Sequence, residues 1–413
     1  MFRIHSILTP LVPADAASRR RFLGRASAVA IGAALTACGG GGGGGTDTTP
    51  PTGGSAASFT SGAITGFGSI IVNGVRFDDS AASVVDDSGR AISRDDLRLG
   101  AQVEIDGGRI NRATGRATAM TIRVSSEIKG PVSAVDLAAG RLTVLGQTVV
   151  VDARTVFDDQ LAAGLADVTV DMLVEVHAQY DAANAVYVAS RIEQASASST
   201  YKLRGVVAEL DSASTTFRIG DAVINYAAIT TVPASLKNGA FIRVQVQAVP
   251  VAGQWVATAL DNGQRRHGED RDEAEFKGYI TDWTSATAFS VDGLPVDASA
   301  ASFPDGESGV VLGAFVEVEG SLVGGVLQAT KVQVEDRDGE DHSEDYELHG
   351  ELSGLDSVAK TFQLRGVLVS YAEVSQWKDL GEADLRDGLV VEVKGQLDSN
   401  GTVLLASRIS LDD

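Results

Sequence analysis

The sequence predicts an all-β chain of five tandem small β-barrels, set behind an N-terminal segment that takes no part in the fold. Three observations predict it: a strand–turn–strand unit written five times, two-residue apolar alternation inside each unit, and glycines at recurring places. Leu312 to Val334 is the clearest copy of the unit. Val316 and Val318 alternate with Glu317 and Glu319, the period of a half-buried strand. Gly320 to Gly325 supply a turn, and Leu327 and Ala329 open the return strand. From Ala329 to Val332 the spacing is three, so the apolar set changes parity, and a one-residue bulge near Thr330-Lys331 must repair it. The same argument places a bulge near Ser407-Arg408 in the last copy.

Taken in order, residues 1–37 read as a signal peptide and stand outside the fold. Ser18-Arg19-Arg20-Arg21-Phe22-Leu23 resembles the twin-arginine export signal, with Arg19, Arg20, Phe22 and Leu23 as its marker residues and Gly24 where Lys is usual. The apolar stretch from Ala26 to Ala37 is too short to span a membrane as a helix. Leu35-Thr36-Ala37-Cys38 resembles a lipobox, and Cys38 is the only cysteine of the chain. The resemblance implies lipidation at Cys38. Gly39 in place of Asp after it implies an anchor in the outer membrane facing the periplasm. Residues 38–58, with seven glycines from Gly39 to Gly45, form a tether without apolar periodicity.

The barrels are expected at 59–127, 128–200, 201–262, 276–334 and 348–413, with a charged linker at 263–275 and an acidic one at 335–347. Each copy opens on a glycine, Gly62, Gly130, Gly205, Gly278 or Gly350. A second, Gly74, Gly146, Gly220, Gly293 or Gly366, sits in the next turn. Each copy closes on a three-step pair such as Ala119 and Ile122 or Ala406 and Ile409. In the last copy the order is a strand holding Gly350, a hairpin about Arg365-Gly366, a short helix or helical turn from Val374 to Leu385, and a final hairpin. Three strands, a short helical connection and two strands is the order of an OB-type barrel. The opening glycine fits a sharply coiled first strand. Both linkers read as solvated segments that keep neighbouring barrels apart.

In the first copy GFGSIIVNGVRF, residues 66–77, closely resembles the opening copy of a bacterial family of repeated domains of unknown function, of the DUF 5666 type, found in envelope lipoproteins. The likeness extends over the chain after Ser58 and is weakest in the third copy, where Arg243 replaces the usual acid. It implies small barrels in a cell-envelope lipoprotein and no particular activity.

Chemistry is sparse. The formal net charge is −21, and the first 37 residues hold five Arg and one Asp, which leaves about −25 for the remainder. Such a surface repels nucleic acid. No catalytic or nucleotide motif occurs, and the histidines after Cys38 are His177, His267, His342 and His349. His177 reads as structural, beside Val176 in a strand. Glu104, Glu175, Glu317 and Glu392 alternate with valines or isoleucine and fall on the barrel exterior. Asp336, Asp338 and Asp341, with Gly339 between them, give hard oxygens suited to a calcium loop, the one cofactor suggested. The expectation is a non-enzymatic, membrane-anchored spacer or interaction scaffold whose partners are envelope proteins or polysaccharide. The alternative is a module that binds an oligosaccharide, peptide or divalent cation on an OB-like face or the acidic linker.

Overall fold

The computed structural model describes residues 57–262, 270–335 and 346–412. Alternation becomes strand as expected: along Val390–Leu397, Val391, Val393 and Leu397 are buried while Val390 and Gln396 are exposed. The first set of strands is β1 (Ser58–Phe67), β2 (Ile70–Val72), β3 (Val75–Asp78), β4 (Ser83–Val85), β5 (Gln102–Gly107) and β6 (Arg116–Val124). The second is β7 (Ile128–Asp136), β8 (Arg141–Val144), β9 (Gln147–Val150), β10 (Val156–Phe157), β11 (Leu173–Asp181) and β12 (Val186–Gln194). The third is β13 (Thr200–Asp211), β14 (Thr216–Ile219), β15 (Ala222–Asn225), β16 (Phe241–Gln247) and β17 (Trp255–Asn262). The fourth is β18 (Arg271–Ser285), β19 (Ala288–Val291), β20 (Leu294–Asp297), β21 (Phe315–Val323) and β22 (Val326–Val334). The fifth is β23 (Tyr346–Asp356), β24 (Thr361–Leu364), β25 (Val367–Ser370), β26 (Gln376–Lys378), β27 (Val390–Leu397) and β28 (Val403–Leu411).

In the first set β1 pairs β2, β2 pairs β3, β3 lies parallel to β6, β6 pairs β5, and β5 returns to β1. The sheet is closed, in the strand order of an OB-type barrel. The same circuit recurs in the second set, the third, the fourth and the fifth. The sets are called barrels 1 to 5 below.

The parity argument holds in every barrel. Opposite the strand before it, the last strand carries one extra residue: Met120, Ser190, Thr258, Thr330 and Ser407. The bulge returns Ile122, Ile192, Leu260, Val332 and Ile409 to the cores. The second glycines also sit where expected. Asn73-Gly74, Leu145-Gly146, Asp292-Gly293 and Arg365-Gly366 have φ positive at both residues, as two-residue hairpins of matching twist require. The opening glycines have a function beyond coiling. A Cβ at Gly62 would stand 2.3 Å from Asn73 Oδ1, and one at Gly130 would stand 2.6 Å from Leu145 Cγ. The hairpin residue of each of these barrels lies over its own first strand, and a side chain beneath it would push it off.

Three expectations need correction. Val374 to Leu385 is not a helix. It forms strand β26, parallel to β28, followed by a single 3-10 turn at Glu382–Asp384. β-branched Val374 and the aromatic Trp377 suit a strand, and Gly381 interrupts the helical spacing. The linkers are shorter than charge density suggested. β18 begins at Arg271 and β23 at Tyr346, because alternating residues such as Ala274 and Leu348 are buried even amid acids. Likewise β1 begins at Ser58, inside the tether as read from composition.

The third correction concerns assembly. The barrels are not held apart, and Gly54–Asp413 forms one compact unit. The N-terminal part of β1 runs parallel to β18, and its C-terminal end runs parallel to β23. Phe59 leaves barrel 1 and joins the core of barrel 4, stacked on Phe276 at 5.2 Å between ring centroids. Burying such a ring is worth roughly 1.5–3 kcal/mol. Gly66 and Gly68 flank Phe67 at the end of β1, where the chain turns towards β2. They also admit barrel 5, since a Cβ at Gly66 would meet Glu347 O at 2.2 Å and one at Gly68 would meet His349 Cβ at 2.3 Å. β7 pairs β13, and barrels 2 and 3 share one hydrophobic cluster. Barrel 2 also touches barrel 5, where Phe157 N–H donates to Gly401 O at 2.9 Å, and barrel 4, where Gln179 Nε2 donates to Lys277 O at 2.6 Å.

Candidate functional site

Because the barrels pack through their outer faces, polar residues placed outside by alternation end up in seams. Arg204 on β13 is 1% exposed. Its Nη1 donates to Glu127 Oε2 at 3.0 Å and to Asp292 Oδ1 at 2.8 Å, and its Nη2 donates to Asp292 O at 2.7 Å. Asp292 belongs to the hairpin of barrel 4, and Glu127 to the connection between barrels 1 and 2, where its N–H donates to Val176 O of β11, so one guanidinium ties barrels 3 and 4 to that connection. Its carbon lies 4.8 Å from the centroid of the Phe241 ring. Burial alone would lower the Arg204 pKa, but Asp292 and then Glu127 raise it above the usual value.

The repeated glutamates lie outside the barrels yet are withdrawn from water. Glu104 is 5% exposed and 4.0 Å from Arg123. Glu175 accepts from Ser126 Oγ at 2.6 Å and from Lys129 Nζ at 3.0 Å. Burial would raise the pKa of Glu175; Lys202, His177, the Ser126 hydroxyl and Lys129 outweigh it and hold the carboxyl at about 2. Glu275, which sequence reasoning passed over as linker, is the opposite case. Burial, reinforced by Glu317, pushes it up to about 8, although Arg112 opposes the shift. Arg112 reaches Glu275 at 3.5 Å but sits closer to Glu319, at 2.7 Å. His177 is buried between barrels 1 and 2, where Gln102 N–H donates to its Nδ1 at 3.3 Å. Burial lowers its pKa, against the pull of Glu193 and Glu175.

A cleft of about 740 Å³ lies where barrels 1, 2 and 5 meet. Leu97 and Leu99 of barrel 1, Val156 and Phe157 on β10, and Val367 of barrel 5 give it apolar walls. Arg94, Arg98, Arg191 and Arg365 line it together with five carboxylates, Asp79, Asp95, Asp158, Asp159 and Glu193, of which Glu193 pairs with Arg191 and Asp79 with Arg94. Arg191 Nη1 donates to Leu99 O at 3.2 Å, Arg98 Nη1 to Leu97 O at 3.1 Å, and Arg365 Nε to His349 O at 3.1 Å. The guanidinium groups are thereby held in place. A planar guanidinium has five N–H donors, so such a cleft can engage a carboxylate or peptide-like ligand. No spacing in the sequence announces it, because its residues come from three barrels.

A second cluster, Glu347, His349 and Glu392, lies at the seam of barrels 1 and 5, with one ligand atom of each within 4.8 Å of the others. Sequence reasoning assigns His349 no role and places Glu392 only as an exterior acid.

Cys38, Arg19, Arg20, Phe22, Leu23, Asp336, Asp338 and Asp341 lie outside the described residues, as do His267 and His342. Among the described residues no helix is long and apolar enough to cross a membrane.

A family model described as a domain of unknown function (DUF5666) matches residues 61–122, 129–193, 277–333 and 349–410. These fall in barrels 1, 2, 4 and 5; barrel 3 has the strand circuit without the match. No curated protein matches the chain.

Proposed function

The chain belongs to the DUF5666 family, and on that footing we propose that it is a non-enzymatic, lipid-anchored protein of the cell envelope, an interaction scaffold at the periplasmic face of the outer membrane. The observation that carries the reading is the return of barrels 4 and 5 onto barrel 1 through β1. A spacer gains length by setting barrels end to end. Pairing between copies remote in sequence gives length up and builds a broad, locked body instead. The lipobox-like Leu35-Thr36-Ala37-Cys38 and the glycines behind it supply an anchor and a tether. The twin-arginine-like segment agrees with a chain that folds before export. Replacing Cys38 by Ser is expected to release the protein from the membrane fraction or leave it unprocessed. A Cys38→Ser protein that stays membrane-bound at mature size sinks the anchor. Turnover of a small substrate, abolished by one point substitution, sinks the non-enzymatic reading.

A second reading, a binding module, is favoured by the cleft between barrels 1, 2 and 5. Five carboxylates share the lining, but Arg98 and Arg365 bond backbone carbonyls and are the donors left for acidic side chains of a peptide. Arg98→Ala should then weaken acidic-peptide binding without lowering the unfolding midpoint. Peptide binding that ignores Arg98→Ala removes this reading.

A further inference from the structure

Cross-strand register gives each barrel a lateral row of three side chains on its outer face, from its first strand and its last two strands. The rows are Ser61–Glu104–Arg123, Lys129–Glu175–Glu193, Arg204–Arg243–Asp261, Lys277–Glu317–Gln333 and His349–Glu392–Ser410. In the first four rows at least one member is a permanent cation. Lys129 stands 3.0 Å from Glu175, and Lys277 stands 3.6 Å from Glu317. The fifth row has none.

Glu347 lies two residues before His349 on β23, hence on the same face, and adds a second carboxylate. Among the described residues the Glu392 side chain makes no hydrogen bond or ion pair, although Glu347 and His349 are within 4.8 Å of it. Ser410, opposite Glu392 and 2% exposed, has a buried Oγ with no partner. An uncompensated carboxylate and an orphaned hydroxyl side by side are costly in a half-buried seam. Asp412 Oδ1 lies 3.0 Å from His349 Nδ1. A carboxylate there can hold the proton on Nδ1, which leaves Nε2 as the ligating nitrogen, as in a metal-bound histidine; without an ion, Nε2 pairs with Glu347 Oε1 at 2.5 Å.

We propose that Glu347, His349 Nε2 and Glu392 form a binding site for a divalent transition-metal ion of the zinc class. One imidazole nitrogen and two carboxylate oxygens suit zinc, whereas calcium asks for six to eight oxygens. Three protein ligands leave a position for water, to which the Ser410 hydroxyl can bond. Arg76 of barrel 1 is the resident competitor. Its Nη1 is 2.9 Å from His349 Nε2, and its Nη2 pairs with Glu347. Lys394, 3.5 Å from Glu347, is a weaker one. Metal entry must displace the Arg76 guanidinium, and an ion held there would ligate barrel 5 while loosening its Arg76 tie to barrel 1.

The test is calorimetric titration of zinc into the full mature chain after chelator treatment, in physiological salt. One saturable site is expected. Glu392→Gln, which replaces a carboxylate without hydrogen-bond or ion-pair partners by a neutral amide of the same shape and so leaves the fold intact, should weaken zinc binding about 10-fold or more. His349→Gln should do the same. Arg76→Ala should tighten it, because the competitor is gone. An imidazolium at His349, bonded to Glu347 and Asp412 together, would satisfy the same contacts without an ion; the wild-type chain would then give no saturable heat, and the proposal fails. It fails equally if zinc binds but Glu392→Gln and His349→Gln leave affinity unchanged, which would put the ion on acids elsewhere.

Discussion

Arg204 and Glu275 are both ionisable groups buried where barrels meet, and they are treated oppositely. Arg204 has two carboxylates and a carbonyl for its N–H groups. Glu275 has one arginine, Arg112, that is half exposed and closer to Glu319. Glu275 faces Thr60 across the β1–β18 pair, and the buried Thr60 Oγ1 has no hydrogen-bond partner. The contrast separates two ways of closing a seam. A cation with surplus acceptors locks at any pH in the working range. A carboxyl with too few donors closes only by keeping its proton, which makes that seam depend on pH.

The largest effect should come from breaking the lock. Arg204→Ala leaves Glu127, 1% exposed along its side chain, without its guanidinium. The expected loss is about 3–5 kcal/mol, read as a fall in the urea unfolding midpoint. Arg204→Met combined with Glu127→Gln and Asp292→Asn should recover a large part of it, since replacing all three partners removes the buried charges together. A single Arg204→Ala change costing under about 1 kcal/mol would mean that the barrels do not depend on this contact.

The next effect is on Glu275, and its sign follows from proton uptake. The folded pKa is about 8 against an ordinary 4.5. Below 4.5 both states hold the proton. Between 4.5 and 8 the unfolded chain has released it and the folded chain has not, so stability contributed by this group falls as pH rises through that window. Glu275→Gln should remove that fall and stabilise the protein at pH 8 by roughly 2–3 kcal/mol. If the substitution leaves the slope between pH 5 and pH 8 unchanged, Glu275 is not the group responsible.

Much of this fold was legible in the sequence, and the reason is local. Alternation, hairpin glycines and the three-step spacing from Ala329 to Val332 are each set within a few residues, and each appeared where expected. The connection from Val374 to Leu385 misled because short apolar spacing does not separate a helical turn from a strand followed by a 3-10 turn. The sites were barely legible. Alternation placed Glu175 and Glu392 outside their barrels. It could not say that Lys202 of barrel 3 would reach Glu175, or that Arg76 would arrive beside His349 from 273 residues away. Those contacts depend on which barrels pack, and the packing is written in close-approach glycines such as Gly66 and Gly68 that a turn explains equally well.

Glu175 sharpens the comparison from between the two extremes. Like Glu275 it is a carboxylate in a seam, but Lys129 lies at 3.0 Å and Lys202 at 3.8 Å. The charged form therefore wins, and the folded pKa falls to about 2 from 4.5. The sign is now reversed. Above 4.5 the clasp contributes in full; as pH falls from 4.5 towards 2 the unfolded chain binds a proton that the folded chain refuses, and the contribution is lost. The side chain keeps about a quarter of its exposure, so screening reduces the gain. Glu175→Gln should cost about 1–2 kcal/mol at neutral pH and flatten the acid limb of the stability curve between pH 4.5 and 2. The paired substitution Glu275→Gln acts on the limb from 4.5 to 8, so the two variants should alter opposite sides of the same curve. Should Glu175→Gln change the alkaline side instead, the assignment of acid and alkaline seams is reversed.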